Sequence, residues 1–199
     1  MTDLTQTGPI RVLNGVELPA PGTWVIDPLH TSLAFEARHA VVTRMRGRFR
    51  RSQGRFVIAE RPEDSTVEVT IDADSIDTIH PKADEHLRGE GFLDVVRFPE
   101  LTFRSTGVEH VGGNRWAVTG DLTIRGVTRP ITLDSTLNGV VEVTYGPRAK
   151  FGFTATGSFD RREYGMEINM PMPGGGVLIG NEVNLTLDVE ADLPRDATD

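Results

Sequence analysis

The chain has no cysteine, which excludes a disulfide framework, a thiolate zinc site and a cysteine nucleophile. Lysine is nearly missing: Lys82 and Lys150 stand beside nineteen arginines. Aromatic residues are sparse at 7%, yet the hydrophobic share of 38% is too high for a disordered chain. No apolar run approaches the ~20 residues that a membrane-spanning helix needs. Acidic residues exceed basic ones by 29 to 21, and the net charge of −8 disfavours a general nucleic-acid binder. Met1 to Thr7 lacks any Lys or Arg, and the apolar stretches before Trp24 are short. A secretory signal needs a basic start and a longer apolar region, so the expected location is cytoplasmic. A chain of 199 residues can bury roughly 70% of its unfolded surface around one core.

What is present is period-two patterning. Leu33, Phe35 and Ala37 share one parity, as do Met45, Gly47 and Phe49 against Arg44, Arg46, Arg48 and Arg50. Phe56 and Ile58 follow on the opposite parity, so a turn or bulge must lie between Arg50 and Arg55. Val67, Val69 and Ile71 continue the series. It runs on through Leu101 and Phe103, then Trp116, Val118, Leu122 and Ile124, then Ile131 and Leu133, then Val141 and Val143. Phe151, Phe153, Ala155 and Phe159 share a face, as do Val183, Leu185, Leu187 and Val189. This is the signature of half-buried antiparallel strands. Gly112-Gly113-Asn114, Asn138-Gly139, Gly146-Pro147 and Pro171 to Gly176 read as the turns between them. Asp121 to Asp134 reads as a hairpin turning at Arg125-Gly126. Pro81, Asp84, Glu85 and Gly89 mark the start, first turn and stop of one short helix. Residues 1–22 show little periodicity and read as an arm, residues 23–193 as the domain, and 194–199 as a tail. Eight or more one-faced strands fit a sandwich or a closed barrel.

The histidines His30, His39, His80 and His86 have no compact metal-ligand spacing, so no metal site is expected. Ser32, Ser75 and Ser105 lie outside any Gly-x-Ser-x-Gly context, so no catalytic serine is expected either. Asp84, His86, Arg88 and Asp94 read as polar residues that tie a helix to the fold, with an acid–base group as the rival reading. Arg44, Arg46, Arg48, Arg50, Arg51 and Arg55 form a local basic cluster. It is either a solvated strand face or a patch for transient contact with an anionic membrane surface.

Five stretches carry a family resemblance: Trp24 to Phe35 followed by His39; Gly47 to Phe49 followed by Gly54; Ser75 to Thr78 followed by Asp84 to Arg88 and Phe92 to Asp94; Phe98 to Ser105; and Gly120 to Leu133. In this order they resemble the YceI-like family of lipocalin-like, polyisoprenoid-binding proteins. The resemblance implies an all-β, extended antiparallel barrel of about eight strands with one short helix and a long apolar tunnel. It implies binding, storage or carriage of an amphiphilic polyisoprenoid, such as an isoprenoid quinone, with no catalytic cofactor. Phe35, Phe49, Phe103, Leu122, Ile124 and Phe153 are the candidate tunnel-lining residues. His39, Asp84, His86 and Arg88 are the candidate rim residues for a head group. The alternative is an enzyme acting on a lipid at that rim. A homodimer is a further expectation.

Overall fold

The computed structural model describes residues 4–195, apart from Asn14, Val41, Pro173 and Gly174. The Pro171 to Gly176 turn and the 194–199 tail therefore lie partly outside the described residues. Three strands come first: β1 (Leu4–Thr7), β2 (Ile10–Leu13) and β3 (Val16–Pro19), an antiparallel meander of their own. The stretch expected to be an irregular arm is thus a small sheet. Its strands of four residues are too short to print a periodicity.

The remaining strands are β4 (Gly22–Ile26), β5 (Ser32–His39), β6 (Thr43–Phe49), β7 (Ser52–Ile58), β8 (Thr66–Asp72), β9 (Ile76–Asp77), β10 (Glu100–Gly112), β11 (Arg115–Ile124), β12 (Val127–Glu142), β13 (Ala149–Asp160) and β14 (Ile179–Leu193). One helix, α1 (Pro81–Arg88), interrupts them. Pairing runs β13-β12-β11-β10-β8-β7-β4-β14, and a β13–β14 ladder closes the ring. The sheet is a closed antiparallel barrel of eight staves. Three staves are broken in two. β4 and β5 both pair with β14, and β6 and β7 pair with β5 and β4 in turn. β8 pairs with β7 while β9 pairs with β6.

Each break has a local cause. Between β4 and β5, residues 27–31 stand opposite only two residues of β14 and bulge out as a loop. Asp27 closes it by accepting the Leu29 N–H at 2.9 Å. The break at Arg50-Arg51 is the parity switch expected from the sequence. There the Arg50 N–H donates to the Ser75 carbonyl, and the Asp72 N–H to that of Arg51. The hairpin at Arg125-Gly126 is also as expected, with φ of +52° and +73°, the two-residue turn that matches strand twist.

Asn138-Gly139 is a correction. It is not a turn but a bulge inside β12, which runs on to Glu142 beside β13. An Asn-Gly pair supplies the same backbone freedom to either device.

The barrel interior is filled from three sides. Trp24 is fully buried, with its indole N–H on the Ala20 carbonyl at 3.1 Å and Phe151 edge-on at 5.1 Å. Leu87 of α1, with Phe92 and Leu93 just after it, enters from one end. The β1–β3 meander packs over β12 at the other end and buries Leu18.

Candidate functional site

Inward-facing side chains from the staves enclose an apolar cavity of about 190 Å³. All six candidate tunnel residues, Phe35, Phe49, Phe103, Leu122, Ile124 and Phe153, stand on its wall. They do so because inward positions recur every second residue, and each of the six has inward parity. Two glycines shape the bore. Phe35 lies directly across from Gly47 in the β5–β6 register, and a Cβ at Gly47 would collide with the Phe35 ring. A Cβ at Gly120 would likewise strike Phe103. In both places the tip of the ring takes the space that a side chain at the glycine would fill.

A second cavity of about 120 Å³ lies toward the meander. Phe56, Val67, Val118, Ser135 and Phe153 belong to both walls, so the two chambers adjoin there. At this junction the Phe56 ring meets Phe151 at 5.2 Å and Phe153 at 5.3 Å, both edge-on. Together the chambers reach the lower end of the ~300–1,000 Å³ range of ordinary ligand sites.

The main wall carries two polar residues, Ser135 and Arg161. The Ser135 hydroxyl donates to the Leu133 carbonyl at 3.5 Å. Arg161, in a 3-10 turn at Arg161–Tyr164, is only 2% exposed. Its guanidinium donates to the carbonyls of Gly180 at 3.1 Å, Ile168 at 3.1 Å and Ile179 at 3.4 Å, to Asn181 Oδ1 at 3.2 Å, and to the Met166 carbonyl. Burial pushes its pKa down, and Asp160 counters that. Arg161 ties the long segment after β13 to the start of β14 and roofs the cavity with Met166. Sequence reasoning passed over it, because an Arg in a polar Asp-Arg-Arg-Glu run reads as surface.

The four rim candidates sit elsewhere. Asp84 is buried, and both its acceptor contacts go to Thr78: the N–H at 2.7 Å and the hydroxyl at 2.6 Å. Arg88 donates to the carbonyls of Asp74 at 2.9 Å and Ile76 at 2.8 Å, which pins α1 to the β8–β9 corner. His86 is exposed, with its ring 5.0 Å from that of Phe92. His39 is half-buried at the end of β5, level with Thr43 and Ile179. None of the four is on the cavity wall. They fasten the helix or face outward, and they do not form one polar group.

The basic cluster projects outward, opposite Met45 and Phe49, as its parity requires. Its cations are matched. Glu36 takes Arg44 at 2.5 Å and Arg46 at 3.3 Å; Asp77 takes Arg48 at 3.5 Å and Arg50 at 2.7 Å. Asp72 takes Arg51 at 2.8 Å, and Glu68 takes Arg55 at 2.9 Å. The face therefore carries little of the net positive charge that six arginines suggest.

A third polar group closes the Asp27–Thr31 bulge. Lys150 Nζ lies 2.7 Å from both Glu190 and Asp192 and 3.4 Å from Asp27, while His30 Nδ1 lies 2.7 Å from Asp27. Asp27, His30 and Glu190 could in principle converge on a cation. The Lys150 ammonium, however, touches two of the three and supplies that charge itself. Burial raises the Asp27 pKa as the largest single influence. Hydrogen bonds from His30, the Leu29 N–H and Lys150 together outweigh it and bring it down to about 2.

A model of the YceI-like domain matches residues 24–191. A UPF0312 protein of Shewanella putrefaciens is 34% identical over 169 residues, covering 81% of this chain and 88% of its own length. A UPF0312 protein of Yersinia pestis is 34% identical over 162 residues, covering 81% and 80%. Among solved structures, Burkholderia cenocepacia BcnA superposes with a TM-score of 0.69 at 18% identity, covering 83% of this chain and 98% of its own. A polyisoprenoid-binding domain from Saccharophagus degradans, implicated in plant cell wall breakdown, superposes with a TM-score of 0.63 at 14% identity, covering 86% and 98%. The broken staves, the helix plug and the apolar bore all fall within the matched residues, and the chain belongs to the YceI-like family.

Proposed function

We propose that the protein binds an amphiphilic polyisoprenoid lipid, storing or carrying it with the tail in the barrel tunnel. One observation carries this reading: the wall of the main chamber is apolar apart from Ser135 and Arg161, and both of these are committed to hydrogen bonds within the protein. Neither is placed as acid, base or nucleophile, which favours binding over catalysis on a lipid. The Saccharophagus degradans domain, named for polyisoprenoid binding, supports the same reading. Burial supplies the driving force, at about 0.8 kcal/mol per methylene. Ordering the flexible tail offsets much of that, so a tail of a few isoprene units is needed for firm retention. Organic extraction and mass spectrometry of the natively purified protein should find a prenyl-chain lipid at near-stoichiometric level. Protein that comes without lipid, and takes up no prenyl quinone when one is offered, would sink the proposal.

A further inference from the structure

The second chamber contains a charge that the tunnel alone does not require. Arg11, in β2, is 1% exposed and forms part of the chamber wall, among Leu18, Trp116, Leu137 and Phe151. Its Nη1 donates to the Glu60 carbonyl at 2.6 Å. Its Nε is equally shut off from solvent and has no acceptor. Among the described residues no carboxylate forms an ion pair with it; Glu60 and Glu63 act on it only through space. Burial pushes its pKa down, and those two acids offset this. A buried guanidinium with a spare N–H and no contacting anion is costly unless something completes it. Carboxylate and phosphate oxygens match a guanidinium in both charge and geometry.

We propose that the chamber closed by the β1–β3 meander is the head-group end of the site, and that Arg11 there selects a polyisoprenoid ending in an anionic group, a carboxylate or a phosphate. This rests on the tunnel reading and names the class of its ligand. The tail runs past the Phe56 and Phe153 junction into the main chamber, toward α1. The head therefore lies at the end opposite the residues that the sequence suggested for it. Arg11 precedes residue 24, so the selectivity is a property of this chain's added meander and not of the matched domain.

The test compares three ligands of equal tail by calorimetry at neutral pH: geranylgeranoic acid, geranylgeranyl phosphate and the neutral alcohol geranylgeraniol. Both acids should bind the parent protein roughly tenfold or more tighter than the alcohol, the worth of one charge-assisted hydrogen bond. Whichever acid gains more assigns the head group. The advantage should collapse in Arg11→Met and survive in part in Arg11→Lys. If the alcohol binds the parent as tightly as the acids, the proposal is overturned and the tunnel stands. If none of the three binds, the tunnel reading falls and takes this one with it. The parent comparison needs no variant, so a poorly folding Arg11→Met leaves the test decisive.

Discussion

At the scale of single residues, the bore is set as much by missing side chains as by present ones. Gly47 and Gly120 are the floor on which Phe35 and Phe103 lie, and either ring must lift if its glycine gains a Cβ. Lifting moves the ring toward the lumen, since the strand backbone blocks the other direction. In Gly47→Ala the overpacking should cost about 1–3 kcal/mol and narrow the tunnel. The urea midpoint should fall with its slope unchanged, and the purified protein should carry less lipid or shorter tails. A variant with the parent's midpoint and lipid load would show that Phe35 has room to spare. Arg11 and Arg161 make the complementary point. Both are buried cations, yet one is saturated by protein acceptors and the other is not.

At the scale of elements, the broken first stave depends on a charged clamp. The Asp27–Thr31 bulge is held to β13 and β14 by Lys150, Glu190 and Asp192. Asp27 has its pKa lowered to about 2 in the folded protein, against about 3.9 in an unfolded chain. Its contribution is thus present above about pH 4 and lost as pH falls toward about 2. His30 runs the other way. The hydrogen bond to Asp27 raises its pKa, so its contribution is complete below about pH 6.5 and is lost as pH rises through the elevated value. These two groups place their joint optimum in mildly acidic solution. Urea midpoints across pH should show a fall below about pH 4 that is shallower in Asp27→Asn. Parallel curves for variant and parent would remove Asp27 from the account.

The same elements show what a sequence can display. Strands with one wet and one dry face print their period, and the stave break at Arg50-Arg51 printed as a change of parity. The helix was legible from Pro81, its acidic first turn and Gly89. Asn138-Gly139 was misread because local chemistry does not reveal whether the chain turns back or runs on. The partners of the rim candidates were not legible, because type and spacing do not say where a polar side chain finds its partner: Asp84 faces Thr78, and Arg88 faces main-chain carbonyls. Arg11 was illegible as a site residue because its burial depends on β12 and Glu60, far along the chain.

At the scale of the molecule, the meander is an added lid on a complete ring, since the eight staves close without it. Removing residues 1–19 leaves Ala20, whose carbonyl receives the Trp24 indole. The truncated chain should keep the β-barrel signature in circular dichroism. It gives up the burial of Leu18, worth about 2 kcal/mol, so its Tm should fall by roughly 4–8 °C. Loss of cooperative unfolding would show instead that the barrel depends on its lid.

Closure also fixes when the interior comes into being. The last stave made, β14, is the one that shuts the ring, with β13 on one side and the first stave on the other. A ribosome adding about 5–20 residues per second needs on the order of ten to thirty seconds between the first stave and the last. Through that interval the ring cannot close, because the edges that β14 covers in the finished barrel, on β13 and on the first stave, have no partner strand. Lipid offered to finished protein has to enter a ring that is already closed.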